Sequence, residues 1–440
     1  MDRIVIAGGL PLKGKVRISG SKNSSLALMV ASLMCDRPVE LMGIPDLADI
    51  NSMEHLLCSM GVEVSRRNGH LLIDPSTLRW AEAPYDIVRK MRASFFVIGP
   101  LLARTGEARV SLPGGCAIGT RPVNFHLEVL KALGARVETA HGYVTAAADR
   151  LQGAPVRLPF PSVGATVTAM CAASLAKGKT VIENPAREPE IVDLAEFLNA
   201  MGATIRGAGS DRITIRGVHR LHGRKYQVMP DRIEAGTYLV SGAIGGGPVE
   251  VCGCDPGHLE SLIQHLRDAG VSVRCMRNRI QVERKGPVKP LKVIRTQPYP
   301  GFPTDLQAQL MALLSIAEGE STIEETIFEN RFMHVSELCR MGADITVEGN
   351  IAVIRGVKGL SGAQVMASDL RASAALVLAG VVAQGETEIL RVYHLDRGYE
   401  ALEKKLSRLG ARIDRKTGKP PEVRERDLEP VTRYPETVHV

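Results

Sequence analysis

Met201-Gly202-Ala203-Thr204-Ile205 closes a helix-like run with an apolar residue and a glycine, then continues as small-x-β-branched. The same phrase stands at Met60-Gly61-Val62-Glu63-Val64, Leu133-Gly134-Ala135-Arg136-Val137, Ala269-Gly270-Val271-Ser272-Val273, Met341-Gly342-Ala343-Asp344-Ile345 and Leu409-Gly410-Ala411-Arg412-Ile413. Successive glycines lie 73, 68, 68, 72 and 68 residues apart. A period of about 70 residues held through six copies marks one folding unit repeated, and it shows which residues occupy equivalent places.

Working outward from each glycine, every unit opens with an Ala/Leu/Ser-rich run: Ser24–Met34, Ala93–Ala103, Ala165–Ala176, Ala235–Ile244, Leu306–Ala317 and Ala372–Ala383. These runs are apolar on most faces, so they are expected to be buried helices. Pro38, Gly106, Gly178, Gly245, Gly319 and Gly385 punctuate their ends, as helix C-termini prefer. A short β-rich run follows, such as Ala108–Leu112, and then an amphipathic helix, such as Asp193–Met201 or Gly398–Leu409. Two alternating strands close the unit, and Asn68-Gly69 between Val64 and Leu71 signals a type I′ hairpin. With one strand ahead of the first helix the unit reads βαβαββ. Three units per domain would put the apolar helices inside and the sheets around them. Residues from about Asp414 onward fit no further unit and read as a tail.

Bulk properties narrow the function. A chain of 440 residues is long for one core, so two domains are expected. One Trp and 4% aromatic residues give little material for stacking nucleic-acid bases. The net charge of +7 admits an anionic partner, but the basic residues are dispersed, which suits a small phosphorylated molecule as well as nucleic acid. The eight cysteines form no CxxC and no long apolar stretch stands at Met1–Lys15, so a reducing cytoplasm is expected, without a membrane span. No cluster with metal-ligand spacing is present in the sequence.

The chemistry collects at equivalent places. Lys22-Asn23, Arg92, Ser162-Val163-Gly164, Asp231-Arg232, Thr304-Asp305 and Asp369-Leu370-Arg371 precede the six buried helices. Helix N-termini favour anions there. Cys116 with Arg121, Arg187, Asp255, Glu329 with Arg331, and Asp396-Arg397 precede the amphipathic helices. Convergence of these ends would face Lys22, Arg92, Arg121, Arg331, Arg371 and Arg397 on one cleft, a site for a multiply charged anion. Asp and Ser at helix starts are, taken singly, ordinary N-caps, and Asp305 and Ser162 are open to that reading. Pro113-Gly114-Gly115-Cys116-Ala117-Ile118-Gly119 is either a Gly-rich turn with an incidental thiol or a strap carrying an accessible one.

Together, several stretches resemble the enolpyruvyl transferases, the EPSP synthase family. They are Ser19–Asn23, Met91–Ser94, Pro113–Cys116 with Arg121-Pro122-Val123, Phe160–Thr166, Pro230–Glu234, Gly301–Asp305, Phe328–His334 and Ser368–Ala372. The likeness runs to about residue 415, and the Pro-Gly-Gly-Cys segment points to the branch that acts on UDP-N-acetylglucosamine. The resemblance implies an inside-out α/β barrel with two domains, each of three βαβαββ repeats. The first would hold residues 22–229, the second 1–21 with 230–419, and 420–440 would be a mobile C-terminal tail.

The implied reaction adds a sugar 3-hydroxyl to phosphoenolpyruvate and expels phosphate, the first committed step of peptidoglycan synthesis. By resemblance Cys116 is the general acid and a possible site of a covalent phosphoenolpyruvate adduct, and of alkylation by fosfomycin. Asp305 takes the hydroxyl proton, and Lys22, Arg121 and Arg397 hold the phosphate. Arg92 and Arg371 orient the substrates; Asn23, Ser162, Val163 and Ile327 match the sugar-nucleotide side; Arg121, Pro122, Val123, Asn124 and Phe125 match the uracil edge. Gly164, Glu329, Arg331 and Asp369 complete the implied substrate contacts. No metal or cofactor is implied, and no nucleic-acid or membrane partner; the chain is expected as a monomer or weak homo-oligomer. Because Cys116 and Asp305 belong to different domains, the site would assemble only on domain closure. Asn124 stands where the family usually has Asp, and Ser21 where it usually has Ala. Alternatives are transfer to another nucleotide or sugar-phosphate acceptor in secondary metabolism, a catalytically idle sugar-nucleotide binder, and a nucleic-acid enzyme built from similar modules.

Overall fold

The computed structural model describes residues 2–67, 69–113 and 123–418. Cys116, Arg121, Pro122, Asn68 of the expected hairpin and the tail 420–440 therefore lie outside the described residues. All six recurrent glycines adopt positive φ, between 84° and 109°, which explains why the phrase needs glycine: the chain turns through the left-handed region to leave each amphipathic helix.

Among the described residues there are six four-stranded sheets, one per unit. In each, the lead strand pairs parallel with the strand after the buried helix and two antiparallel strands complete the sheet; in five of them these two are the closing hairpin. Pro155–Arg157, Lys179–Glu183, Arg212–Arg216 and Thr204–Arg206 lie side by side in that order. Three units borrow strands from afar. Lys225–Gln227 supplies the lead strand beside Val39–Met42, while Gly14–Arg17 leads the sheet of Val249–Cys252. Arg3–Ala7 fills the sixth sheet between Glu386–Leu390 and Arg412–Lys416.

The helices in chain order are α1 (Lys22–Ala31), α2 (Ala48–Ser59), α3 (Tyr85–Val88), α4 (Ile98–Thr105), α5 (Asn124–Ala132), α6 (Val163–Leu175), α7 (Pro189–Ala200), α8 (Arg232–Gly245), α9 (Glu260–Asp268), α10 (Gln307–Leu314), α11 (Val335–Arg340), α12 (Leu370–Val382) and α13 (Leu402–Arg408). The apolar helices α1, α4, α6, α8, α10 and α12 line the two interiors as expected. One core draws on residues 26–228, the other on 4–18 and 233–413. Burying a Leu, Met or Ile side chain in such an interior contributes about 1.5–3 kcal/mol.

Several expected boundaries are corrected. Lys22 and Asn23 lie inside the first turn of α1, capped by Ser21, rather than ahead of it, and Ser32–Met34 continues as a 3-10 turn. The run Ala93–Ala103 is split: Arg92–Val97 is 3-10, and α4 extends to Thr105. The fifth buried helix stops at Leu314 and begins with a 3-10 turn at Thr304–Leu306. The helix expected over Gly398–Leu409 starts only at Leu402, because Ala401 takes a left-handed φ of 47° and interrupts it.

The chain passes between the two cores twice, at residues 18–22 and 228–232, and the passages run side by side. Ser21 donates its N–H to Met229 O (2.7 Å), and Asp231 donates to Ser19 O (2.9 Å). Gly20 sits between them, where a Cβ would fall 1.9 Å from Gly43 O, so only glycine fits.

Candidate active site

Asp305 lies in the 3-10 turn leading into α10, and it does not cap that turn: Pro303 stands at the cap position and supplies no side-chain bond. Its carboxylate is gripped at both oxygens instead. Arg331 Nη2 reaches Oδ1 at 2.8 Å, and Arg371 Nη2 reaches Oδ2 at 3.0 Å. Arg331 comes from the turn before α11 and Arg371 from the first turn of α12, so three sequence-selected residues from two repeat units meet on one carboxylate. Burial alone would raise the Asp305 carboxyl; the Arg371 and Arg331 guanidiniums overturn that and hold it well below the usual carboxylate range, with Lys22 adding in the same direction. Asp369 caps α12 through the Arg371 and Ala372 N–H groups, and so fixes where Arg371 begins.

The far side of Arg371 is anchored too. Its Nη1 meets Tyr399 Oη at 3.2 Å, and that hydroxyl also contacts Thr237 Oγ1 (2.9 Å) and Gln309 Nε2 (3.0 Å). Tyr399 is among the largest fully buried side chains. A guanidinium held between a carboxylate and a phenol has little freedom to wander, which is what positioning a substrate requires.

A second cluster spans the two cores. Asp49, the second residue of α2, accepts Lys22 Nζ at 2.7 Å on Oδ2 and Arg397 Nε at 2.8 Å on Oδ1. Lys22 belongs to the first-core helix α1, whereas Arg397 ends the 3-10 turn Val392–Arg397 of the second core. Burial would raise the Asp49 carboxyl, but Lys22 and Arg397 bring it below its ordinary value. One carboxylate thus sits between two expected phosphate-holding cations, where a bound anion would compete for both.

At the head of α6, Ser162 is the N-cap, accepting from Ala165 N at 3.3 Å, so its ordinary capping role is present. Gly164 follows because the His126 ring occupies the space of its side chain: a Cβ there would lie 2.8 Å from Cε1. His126 on α5 bonds Thr168 Oγ1 at 2.8 Å and packs edge-on to Phe95. Burial, with Arg92 nearby, lowers it to about 3, so the ring is neutral at ordinary pH. Val123 caps α5 without a side-chain bond, Asn124 is its exposed first residue, and Phe125 is half-buried. Asn23 and Val163 are also half-buried, each in a helix first turn. Ile327 belongs to a loop organised by Glu325, a buried carboxylate that accepts from Thr296 Oγ1 (2.9 Å), Thr304 Oγ1 (2.8 Å) and Ile327 N (2.9 Å). Glu329 is exposed on the same loop.

Sequence reasoning missed Asp49, Glu325 and Tyr399. Asp49 carried one readable signal, an acidic residue in the first turn of a repeat-equivalent helix; the other two carried none. Among the described residues no three His, Cys, Asp or Glu side chains come together as a metal site requires, and no helix is long and apolar enough to cross a membrane.

The two depressed carboxylates make stability fall in acid. Groups whose pKa is lowered on folding stabilise above the unfolded value of about 3.9 and lose that contribution as pH drops. Urea midpoints measured between pH 5 and 3 should decline, and Asp49→Asn should make that decline shallower. An unchanged slope in the variant would mean that Asp49 does not titrate as its ion pairs require.

The chain matches the model of the family described as EPSP synthase (3-phosphoshikimate 1-carboxyvinyltransferase) over residues 6–406. It is 58% identical over 418 residues to the UDP-N-acetylglucosamine 1-carboxyvinyltransferase of Maricaulis maris, covering 94% of this chain and 99% of the relative. It is 53% identical to the protein of that name from Caulobacter vibrioides, over 95% of this chain and 99% of the relative. Among solved structures, the enolpyruvyl transferase NikO from Streptomyces tendae superposes with a TM-score of 0.84 at 27% identity, covering 95% of this chain and 99% of that one. The EPSP synthase from Acinetobacter baumannii shares the fold at 20% identity, with a TM-score of 0.73 over 95% of this chain and 100% of that one.

Proposed function

Since this chain belongs to the EPSP synthase family of enolpyruvyl transferases, we propose that it transfers the enolpyruvyl group of phosphoenolpyruvate to the 3-hydroxyl of UDP-N-acetylglucosamine, releasing phosphate, as the first committed step of peptidoglycan synthesis. The observation that carries the chemistry is the pair of cation-clasped carboxylates: Asp305 between Arg331 and Arg371, and Asp49 between Lys22 and Arg397. The acceptor is supported by relatives of that name at 53–58% identity over nearly the whole chain.

The reaction balances as follows. The hydroxyl oxygen bonds to the central carbon of phosphoenolpyruvate while Asp305 takes its proton and the Cys116 thiol protonates the methylene. The resulting tetrahedral ketal collapses by breaking the carbon–oxygen bond to phosphate. A methyl proton returns to the Cys116 thiolate, and phosphate leaves with the proton from Asp305. Asp305 is a weak base while two guanidiniums claim its oxygens; an anionic substrate that engages Arg331 and Arg371 relieves their field and restores its basicity. Lys22, Arg121 and Arg397 meet the phosphate charge, and Arg92 helps orient the substrates. Asn23, Ser162, Val163, Gly164, Ile327, Glu329 and Asp369 frame the sugar nucleotide, with Arg121 through Phe125 at the uracil.

The strand pairings support a division into residues 22–229 and 1–21 with 230–419, leaving 420–440 as a tail. Fosfomycin as a covalent inhibitor and a cytoplasmic location belong to the same reading. A second reading, transfer to another nucleotide or sugar-phosphate acceptor, is favoured by Asn124, whose amide accepts a hydrogen bond with less charge than a carboxylate. Phosphate release with phosphoenolpyruvate and a panel of nucleotide sugars separates the two. Release is expected with UDP-N-acetylglucosamine at least about tenfold above every other acceptor, the ratio that the net energy of one hydrogen bond gives. Faster release with a different acceptor would overturn the assignment.

A further inference from the structure

Arg397, the last residue of the 3-10 turn, and Gly398, Tyr399 and Glu400 after it form a short segment leading to α13, and each member is held. Arg397 points across to Asp49 of the first core (2.8 Å). Gly398 packs so tightly that a Cβ would lie 2.7 Å from Leu370 Cδ2. Tyr399 is buried against Arg371, the partner of Asp305. Glu400 is used by neither cluster above, yet it joins three segments: Oε2 accepts the Ser19 hydroxyl at the first passage between the cores, and Oε1 accepts the Asp46 backbone N–H at 3.0 Å, just ahead of α2. Ser19 is itself pinned: its N–H donates to Glu234 Oε2 (2.7 Å), and its hydroxyl oxygen accepts from Lys405 Nζ (2.8 Å).

The ties 46···400 and 49···397 therefore bind the same two segments together in antiparallel register. They differ in what substrate does to them. An incoming phosphate competes with Asp49 for Arg397, so that tie loosens when the site fills; the Glu400 tie touches no group the phosphate needs.

We propose that Glu400 is a positioning residue for the transfer: it keeps the second-core segment 397–400 seated on the first-core segment 46–49 while Arg397 exchanges Asp49 for the substrate's phosphate. Through Tyr399 and Arg371 the same segment leads to Asp305, so its seating sets how the cations from the two halves meet one anion.

The kinetic test rests on the enolpyruvyl-transfer reading; a scattering test needs only that UDP-N-acetylglucosamine binds. In the full chain, Glu400→Ala, which removes both hydrogen bonds, should raise the KM for phosphoenolpyruvate at least about tenfold, the low end of what charge-assisted hydrogen bonds contribute, with kcat within about threefold. Glu400→Gln, whose amide oxygen still accepts the Asp46 N–H, should recover most of the loss. Small-angle scattering on adding UDP-N-acetylglucosamine should show less contraction for Glu400→Ala than for wild type. If Glu400→Ala matches wild type in KM and in contraction, or if Glu400→Gln is as impaired as Glu400→Ala, the proposal fails. If wild type contracts with UDP-N-acetylglucosamine but releases no phosphate, the functional reading fails on its own and the scattering comparison still decides the role of Glu400.

Discussion

Asp305→Asn should lower kcat about a thousandfold, within the range that a positioned general base contributes. The substitution keeps the shape and one acceptor oxygen but removes the charge, so it separates proton transfer from packing. It also leaves the Arg331 and Arg371 guanidiniums, both about 5% exposed, without their counter-ion. Breaking a buried pair from one side costs about 3 kcal/mol or more, so the unliganded variant should melt several degrees below wild type. Substrate restores an anion to the same arginines. Phosphoenolpyruvate with UDP-N-acetylglucosamine should therefore raise the melting temperature more for the variant than for wild type. A variant that keeps kcat within tenfold of wild type would remove Asp305 from the proton-transfer step. One that loses activity without the larger ligand-induced stabilisation would mean that the substrate's charge goes elsewhere.

Cys116→Ser should depress turnover by a similar or larger factor, about 10³-fold or more. A hydroxyl holds its proton far more tightly than a thiol, whose ordinary pKa is about 8.5, and it is a poorer nucleophile toward an epoxide. Cys116 lies outside the described residues, between the strand that ends at Ser111 and α5, so this expectation rests on the resemblance and on the reaction's need for an acid opposite Asp305. Fosfomycin supplies the direct test. With sugar nucleotide present, wild type should gain the mass of one drug molecule and Cys116→Ser none. Cys58, Cys275 and Cys339 are exposed, so the adduct must be mapped to its peptide; alkylation of one of those thiols in place of Cys116 would sink the assignment.

The depth of legibility differs between the parts of this site. Lys22, Arg371 and Asp305 were found because they recur beside buried helices, and the repeat makes such places visible in one dimension. Their exact settings were not visible. Asp305 looked like a possible cap and is instead a doubly paired carboxylate, because Arg331 and Arg371 approach it from 26 and 66 residues away. Glu325 was unreadable for a related reason: its partners are hydroxyls and backbone N–H groups, which have no distinctive pattern in a sequence. The amphipathic pattern over Gly398–Leu409 is continuous but the helix is not, because Ala401 turns left-handed and lets Tyr399 and Glu400 face different partners.

By itself the sequence determined the repeating unit, its six copies, the helices that go inside and the glycines that end the amphipathic ones. All of these are set by periodicity and local backbone preference within about 70 residues. Only the tertiary structure decided which strands the first and fourth units exchange, that Arg397 meets Asp49 across 348 residues, and that Glu400 ties the first passage to the segment just ahead of α2. Those contacts join units that local propensity cannot distinguish, and they exist only once two separate hydrophobic interiors have packed and brought their helix ends together.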